Sequence, residues 1–156
     1  FPIERSQERE VQFSWVSPIL ISSHGFFKRP DNNLKPLRTV RDAQKYSIGT
    51  YLGSGIGEYL RNLDFTVEET TSDELNIRKL FAKRIDLWAS DTLSAQYMAK
   101  KNDVILREPE LIFFTSLRAM ACHSSLSDKI LQRLNQTLVS MYKDGSIERI
   151  RADFKL

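Results

Sequence analysis

An α/β fold built on an open sheet is the architecture this sequence predicts. Strand-like and helix-like segments alternate between about Tyr46 and Arg107, as they do when helical crossovers link neighbouring strands. The stretch "YSIGTYLGSGIGEYL", Tyr46 to Leu60, joins an apolar run to a helical pattern through a glycine-rich turn. That is the outline of a strand, a tight turn and a helix start. The 156 residues are 41% hydrophobic and 28% charged, in the range of a single soluble globular domain.

Each element follows from local pattern. "REVQFSWVSPILIS" is apolar enough for a strand, with Pro18 marking an edge or a crossing. Residues 28–38 carry Pro30, Pro36 and the "DNN" cluster and read as a loop. "TVRDAQ" is a turn or short helical piece, "SIGTY" a strand, and Gly55 to Leu63 a helix. "FTVEET" is the next strand. Ser72 is placed to cap a helix from about Asp73 to Ala82, with Leu75, Leu80 and Phe81 as its apolar positions. "RIDLWAS" reads as a strand and "DTLSAQYMAKK" as a helix, while "VILRE" and "LIFFTSLRAMA" are strand-like. The clearest helix lies in "SSLSDKILQRLNQTLVSMYKDG", where Ile130, Leu131, Leu134, Leu138 and Met141 fall near a 3.6-residue period. Ser125 or Ser127 caps its start, and Gly145 stands where a terminating glycine belongs. A last short helix begins at Ser146, with Ile147, Ile150 and Phe154 on one side.

Several function classes are excluded by composition. The net charge of +3 is spread among acidic residues, without the basic stripe of a nucleic-acid binder. The nearest candidate, Phe26 to Arg41, is interrupted by Asp31 and reads as a solvated loop. Cys122 is the only cysteine, which rules out an internal disulfide and a cysteine-based metal site. His24 and His123 lack a ligand-like spacing and read as unrelated packing or surface residues. No apolar run is long enough to span a membrane. The chain opens "FPIERSQ", without an initiator Met or signal peptide, as a processed or trimmed product would.

In open α/β sheets, ligands sit beyond the carboxyl ends of the strands. Two such ends stand out here, Gly53-Ser54-Gly55 and Ser90-Asp91. A phosphate loop needs Lys and Ser or Thr after its last glycine, where this chain has Glu58 after Gly57. The glycine spacing also fails the dinucleotide pattern. A smaller anion such as a carboxylate fits close amides at a helix start. Equally, the glycines satisfy a tight turn and close helix packing alone. Asp91 reads both as an N-cap of the helix at Thr92 and as a ligand-facing carboxylate. Arg9 has the alternative of a solvated charge beside Glu8 and Glu10. Trp15 and Trp88 alternate with apolar neighbours and read as packing residues.

Four stretches together resemble a known family. "RSQEREVQFSWVSPI" resembles the T-x-x-R segment, followed by an aromatic and a proline, of bacterial extracellular solute-binding proteins of family 3. "YSIGTYLGSGIGEYL" is similar to the strand-turn-helix that opens that family's second lobe. "LFAKRIDLWASD" is similar to its L-x-x-G-R-x-D segment, with Lys83 in the place of the glycine. "LNQTLVSMYKDGSIERIRADF" is similar to its closing helix, turn and last short helix. The segments occur in family order and span essentially the whole chain.

The resemblance implies a two-lobe, periplasmic-binding-protein-like fold of type II with an incomplete first lobe. Residues 1–18 would end lobe 1, 19–23 would cross, 24–113 would form lobe 2, 114–119 would cross back, and 120–156 would pack on lobe 1. Roughly the first third of the family pattern precedes T-x-x-R, where this chain has five residues. The apolar face of the closing helix would then be bare and prone to homo-oligomer formation. The implied function is capture of a polar solute, most plainly an amino acid, in the periplasm for an ABC-transporter permease. Sensing in a membrane receptor and small-molecule lyase activity are alternatives on this fold. By position, Ser6 and Arg9 fall on T-x-x-R, so Arg9 would take the ligand's carboxylate. Gly53, Ser54 and Gly55 would add donors to it, and Asp91 would take the ammonium. Pro2 and Glu4 stand where the family often has a glycine and a small hydroxyl residue. No catalytic residue, cofactor or metal is implied.

Overall fold

The computed structural model describes residues 1–153, and for Glu8 the backbone only. Phe154, expected on the apolar side of the last helix, lies outside the described residues. The chain divides into two compact units, one of Phe1–Ile21 with Ser116–Leu156 and one of Ser22–Thr115. Six strands are hydrogen-bonded in the order β1-β6-β2-β5-β3-β4: β1 Pro2–Arg5, β2 Phe13–Phe27, β3 Ile48–Tyr51, β4 Val67–Thr70, β5 Leu87–Asp91 and β6 Leu111–His123. Among the described residues five α-helices complete the architecture: α1 Gly55–Asn62, α2 Asp73–Phe81, α3 Thr92–Lys101, α4 Asp128–Lys143 and α5 Ser146–Asp153.

In the larger unit, β3 pairs in parallel with both β4 and β5, and β5 pairs antiparallel with the end of β2. A lock at the start of β3 and β5 holds their register. The Ser47 amide and hydroxyl both donate to the Asp86 carboxylate, at 3.0 and 2.8 Å, and the Asp86 amide donates back to the Ser47 hydroxyl at 2.9 Å. Alternation along the strands then sends Ile48, Leu87, Ala89 and Phe26 to one face, where they bury Ile56 and Leu60 of α1. Trp88 and Phe27 go to the other face with Ile77 and Leu80 of α2 and Ala95 of α3. The guanidinium of Arg29 donates to the Leu80 carbonyl at 2.8 Å and ties the loop after β2 to the end of α2. Glu74 of α2 reaches Lys101 of α3 at 2.8 Å, and that hydrogen bond, with the lysine and Arg78 charges, holds its carboxyl below the usual range.

In the smaller unit β1 pairs antiparallel with β6, Pro2 opposite Met120 and Arg5 opposite Leu117. Trp15 is buried with Ala119 and Ala121, and its indole N–H donates to the Glu10 carbonyl at 3.2 Å. The apolar face of α4, expected to be bare, is partly covered. Leu138 is buried, and Leu131, Leu134 and Met141 are partly buried, packed with Val16, Ile19, Met120, Cys122 and Ile147. The large hydrophobic side chains of α4 left exposed are Ile130, Val139 and Tyr142, at 49%, 51% and 36%.

Other departures share one physical origin. β1 is four residues long and carries a proline, so only its pairing with β6 makes it a strand. β2 continues beyond Ser22 to Phe27 because β5 lies ready to receive it. "VILRE" finds no partner strand and stays irregular, although Val104 and Leu106 pack beneath α3. On α2, Asn76 and Ile77 take buried positions while Leu75 is 44% exposed.

Left-handed residues follow four of the helices: Asp64 after α1, Lys83 after α2, Asp103 after α3 and Gly145 after α4. Gly145 has φ +73° after α4, and Lys83 has φ +61° after α2. A side chain in that conformation costs about 1–2 kcal/mol. The Lys83 ammonium lies 3.8 Å from Asp31, and both groups are exposed, so this pair returns little. Lys83→Gly is therefore expected to stabilise the protein by about 0.5–1 kcal/mol, read as a rise in the urea midpoint at unchanged slope.

Candidate functional site

Of the residues singled out in the sequence, four belong to the larger unit and two to the smaller one. The glycine turn follows β3 and opens α1. Gly53 has φ +72° in open space, so its requirement is conformational. Ser54 is the N-cap of α1: its hydroxyl accepts from the Gly57 amide at 3.1 Å and lies 3.2 Å from the Thr50 hydroxyl. With Thr50 donating, the Ser54 proton points outward. The amides of Gly55 and Ile56 open the helix, where no preceding turn can accept them. Amides and hydroxyl together form a small set of donors at the positive end of a helix.

Asp91 ends the neighbouring strand β5 and is buried, with 6% of its surface exposed. Its Oδ1 accepts from the Ser94 amide at 2.9 Å and caps α3. Its Oδ2 is buried and has no hydrogen-bond partner. One oxygen of Asp91 is thus committed to the α3 cap, and the other is left without a donor. A buried carboxylate oxygen without a donor is costly and marks a place where a cationic or donor group would be stabilised. Alternation along β5 puts Asp91 on the same face as Ala89 and Leu87, the face covered by α1. Donors and acceptor thus share one face at the carboxyl ends of two adjacent parallel strands.

One neighbour of Asp91 was not foreseen. His24 is its direct cross-strand partner in the β2–β5 pair, so both side chains stand on one face. His24 is 2% exposed, and its ring lies 5.4 Å from that of Phe114. Tyr59 of α1 meets Phe114 from beyond, at 5.0 Å. Spacing along the chain carries no trace of this pair, which only the register creates. His123 is an exposed residue bonded to Ser125 at 2.7 Å.

Ser6 and Arg9 lie in the smaller unit, at a 3-10 turn over Gln7–Arg9. The Ser6 side chain makes no capping bond there. Arg9 is half-buried, with one guanidinium N–H donating to the Glu4 carbonyl at 3.3 Å. Glu4 itself stands opposite Arg118 in the β1–β6 pair. Trp88 is fully buried on the face opposite Asp91, as a packing residue. Among the described residues no cluster of His, Cys, Asp and Glu could hold a metal ion, and no helix is long and apolar enough to cross a membrane.

Comparison with solved structures places the architecture. ArgBP from T. maritima superposes with a TM-score of 0.83 at 16% identity, covering 97% of this chain and 65% of that one. The fold is that of the periplasmic binding proteins. An amino acid ABC transporter substrate-binding protein, AbpA from Streptococcus pneumoniae, bound to L-arginine, gives 0.82 at 16% identity, covering 97% of this chain and 64% of that one. A histidine kinase sensor domain with similarity to periplasmic binding proteins gives 0.82 at 20% identity, covering 97% and 67%. The chain thus spans about 65% of the length of the ArgBP it matches. No family profile and no curated protein matches the chain. In this binding-protein fold the carboxyl ends of β3 and β5 carry the chemistry described above, and their side chains are this chain's own.

Proposed function

We propose that the chain is part of a binding protein that captures a small zwitterion, an α-amino acid, in the periplasm for uptake through an ABC-transporter permease. The buried, unpartnered Oδ2 of Asp91 carries this reading. It asks for a cation on the same face of the sheet on which the α1 amides ask for an anion. An α-amino acid presents those two charges on one carbon. A sugar brings no charge to either place, and a phosphate brings nothing to Asp91. The family pattern assigns Arg9 to the same carboxylate as a planar, permanently charged fork. It also assigns lobe 2 to residues 24–113, with crossings at 19–23 and 114–119.

Solved neighbours support the class of ligand without naming one. AbpA holds L-arginine, and a ligand-binding core from Nostoc punctiforme, with a TM-score of 0.81 at 20% identity, holds glutamate. The sensor-domain neighbour favours a second reading, ligand sensing in a membrane receptor. A membrane span encoded beyond Leu156 would select that reading over transport.

Calorimetry of the 156-residue chain against a panel of amino acids, a sugar and inorganic phosphate tests the class. Binding confined to amino acids supports it, and binding of phosphate or sugar alone overturns it. Affinity is expected to be weaker than micromolar. Two-lobe receptors gain affinity by closing around the ligand and excluding water, and this chain spans only 65% of the length of such a neighbour.

A further inference from the structure

We propose that His24 is a specificity-determining residue of the cation subsite, whose proton competes with the ligand's ammonium for Asp91. This rests on the ligand reading above and adds a regulation to it. Three observations carry it. His24 and Asp91 are direct partners in an antiparallel pair, which sets their Cβ atoms about 4.5–5.5 Å apart on one face. Both are more than nine-tenths buried, at 2% and 6% exposure. Asp91 spends one oxygen on the α3 cap and keeps the other without a donor.

Asp91 faces His24 from β5. From β6 there is the uncharged Phe114, 5.4 Å away ring to ring. From α1 there is the phenol of Tyr59, which reaches Phe114. The charged residues of α1 are engaged elsewhere: Glu58 is exposed, and Arg61 bonds Glu69 at 2.6 Å. On β2 itself, the flanking residues of that face are Ser22 and Phe26.

One positive charge satisfies Asp91, and two repel strongly in a buried site. With the subsite empty, imidazolium at His24 is favoured by the carboxylate across the pair. When the ligand's ammonium takes Oδ2, the imidazolium loses that partner and faces a like charge. His24 then releases its proton to solvent, and the ligand's charge replaces it. The midpoint of His24 is accordingly higher in the empty site than in the occupied one. Linkage sets the sign: binding expels a proton, so affinity falls by up to about tenfold per pH unit below the midpoint of the empty site and is level above it.

The test is an NMR titration of the two imidazole rings in the 156-residue chain, with exposed His123 as the internal reference. Asp91→Asn keeps the α3 cap, since Asn caps as well as Asp, and replaces the charged Oδ2 acceptor with a neutral amide nitrogen. It is expected to lower the His24 midpoint by about one pH unit or more and leave His123 unmoved. Excess L-arginine, the probe ligand, is expected to lower the His24 midpoint in the wild-type chain and not in the variant. A His24 midpoint indifferent to Asp91→Asn overturns the proposal. So does L-arginine that perturbs the α3 amides without moving His24. If Asp91→Asn moves His24 while L-arginine leaves the whole spectrum unchanged, the coupling stands and the amino-acid reading falls. A second variant, His24→Gln, gives an independent check: its L-arginine affinity should lose the acid limb of the pH profile.

Discussion

Replacing Asp91 by asparagine is expected to abolish detectable binding of α-amino acids while leaving the fold intact. Asn preserves size and the capping acceptor toward the Ser94 amide. What disappears is the negative charge, from a position where only 6% of the residue meets solvent. A ligand ammonium placed there would be buried without its counter-ion, a loss of about 3–5 kcal/mol, or about two to four orders of magnitude in affinity. A ligand that lacks the ammonium should lose far less. The measurement is therefore a four-way comparison of an amino acid and its desamino analogue against wild type and Asp91→Asn. Equal losses for both ligands would reduce Asp91 to a helix cap and remove the main support for a zwitterion site. Asp91→Ala is the poorer variant, because it also deletes the cap, worth ~0.5–2 kcal/mol by itself.

Phe26→Ala is expected to cost the protein about 3–5 kcal/mol, a large share of the ~5–15 kcal/mol available to a domain of ordinary stability. Phe26 is fully buried, stacks on Phe113 at a centroid distance of 4.2 Å, and packs with Ile48, Leu60 and Ala89 between the sheet and α1. Truncation leaves a cavity that the flanking strands cannot close, since the Ser47–Asp86 lock holds them. The consequence reaches the site. Phe26 lies two residues from His24 on the same face of β2, opposite Ala89, as His24 lies opposite Asp91. Urea denaturation reads the loss directly. Phe26→Leu keeps most of the volume and should cost far less, typically under about 1.5 kcal/mol when shape is accommodated. Similar values for both variants would show that this contact is not the keystone of the larger unit.

The elements legible from sequence are those whose cause lies within a turn or two of chain. Ser72 and Asp91 cap α2 and α3 where local pattern puts them. Gly145 ends α4 in a left-handed conformation, and Lys83 adopts one in a place where the family pattern has glycine. Helices depend on neighbours three and four residues away, so their signals survive in a single sequence. The glycine turn and Asp91 were legible as strand ends for the same reason, together with the rule that ligands gather there. What local pattern does not carry is pairing and coverage. β1 exists because β6 accepts it, "VILRE", read as strand-like, stays irregular because no strand does, and α4 is partly covered because Val16, Ile19 and Met120 lie beneath it.

By itself, then, the sequence determined the α/β class, the order of helices and strands from Ile48 onward apart from residues 104–108, and the two strand ends proposed for a ligand. The register between strands decided the rest. It sets His24 against Asp91, sends Asp91 to the α1 face and Trp88 to the other, and leaves one buried carboxylate oxygen in need of a donor. A strand's side chains repeat every two residues, so a slip of one position would reverse each of these placements. Partners distant in the chain choose that position, through a contact such as Ser47 with Asp86, and no local pattern encodes it.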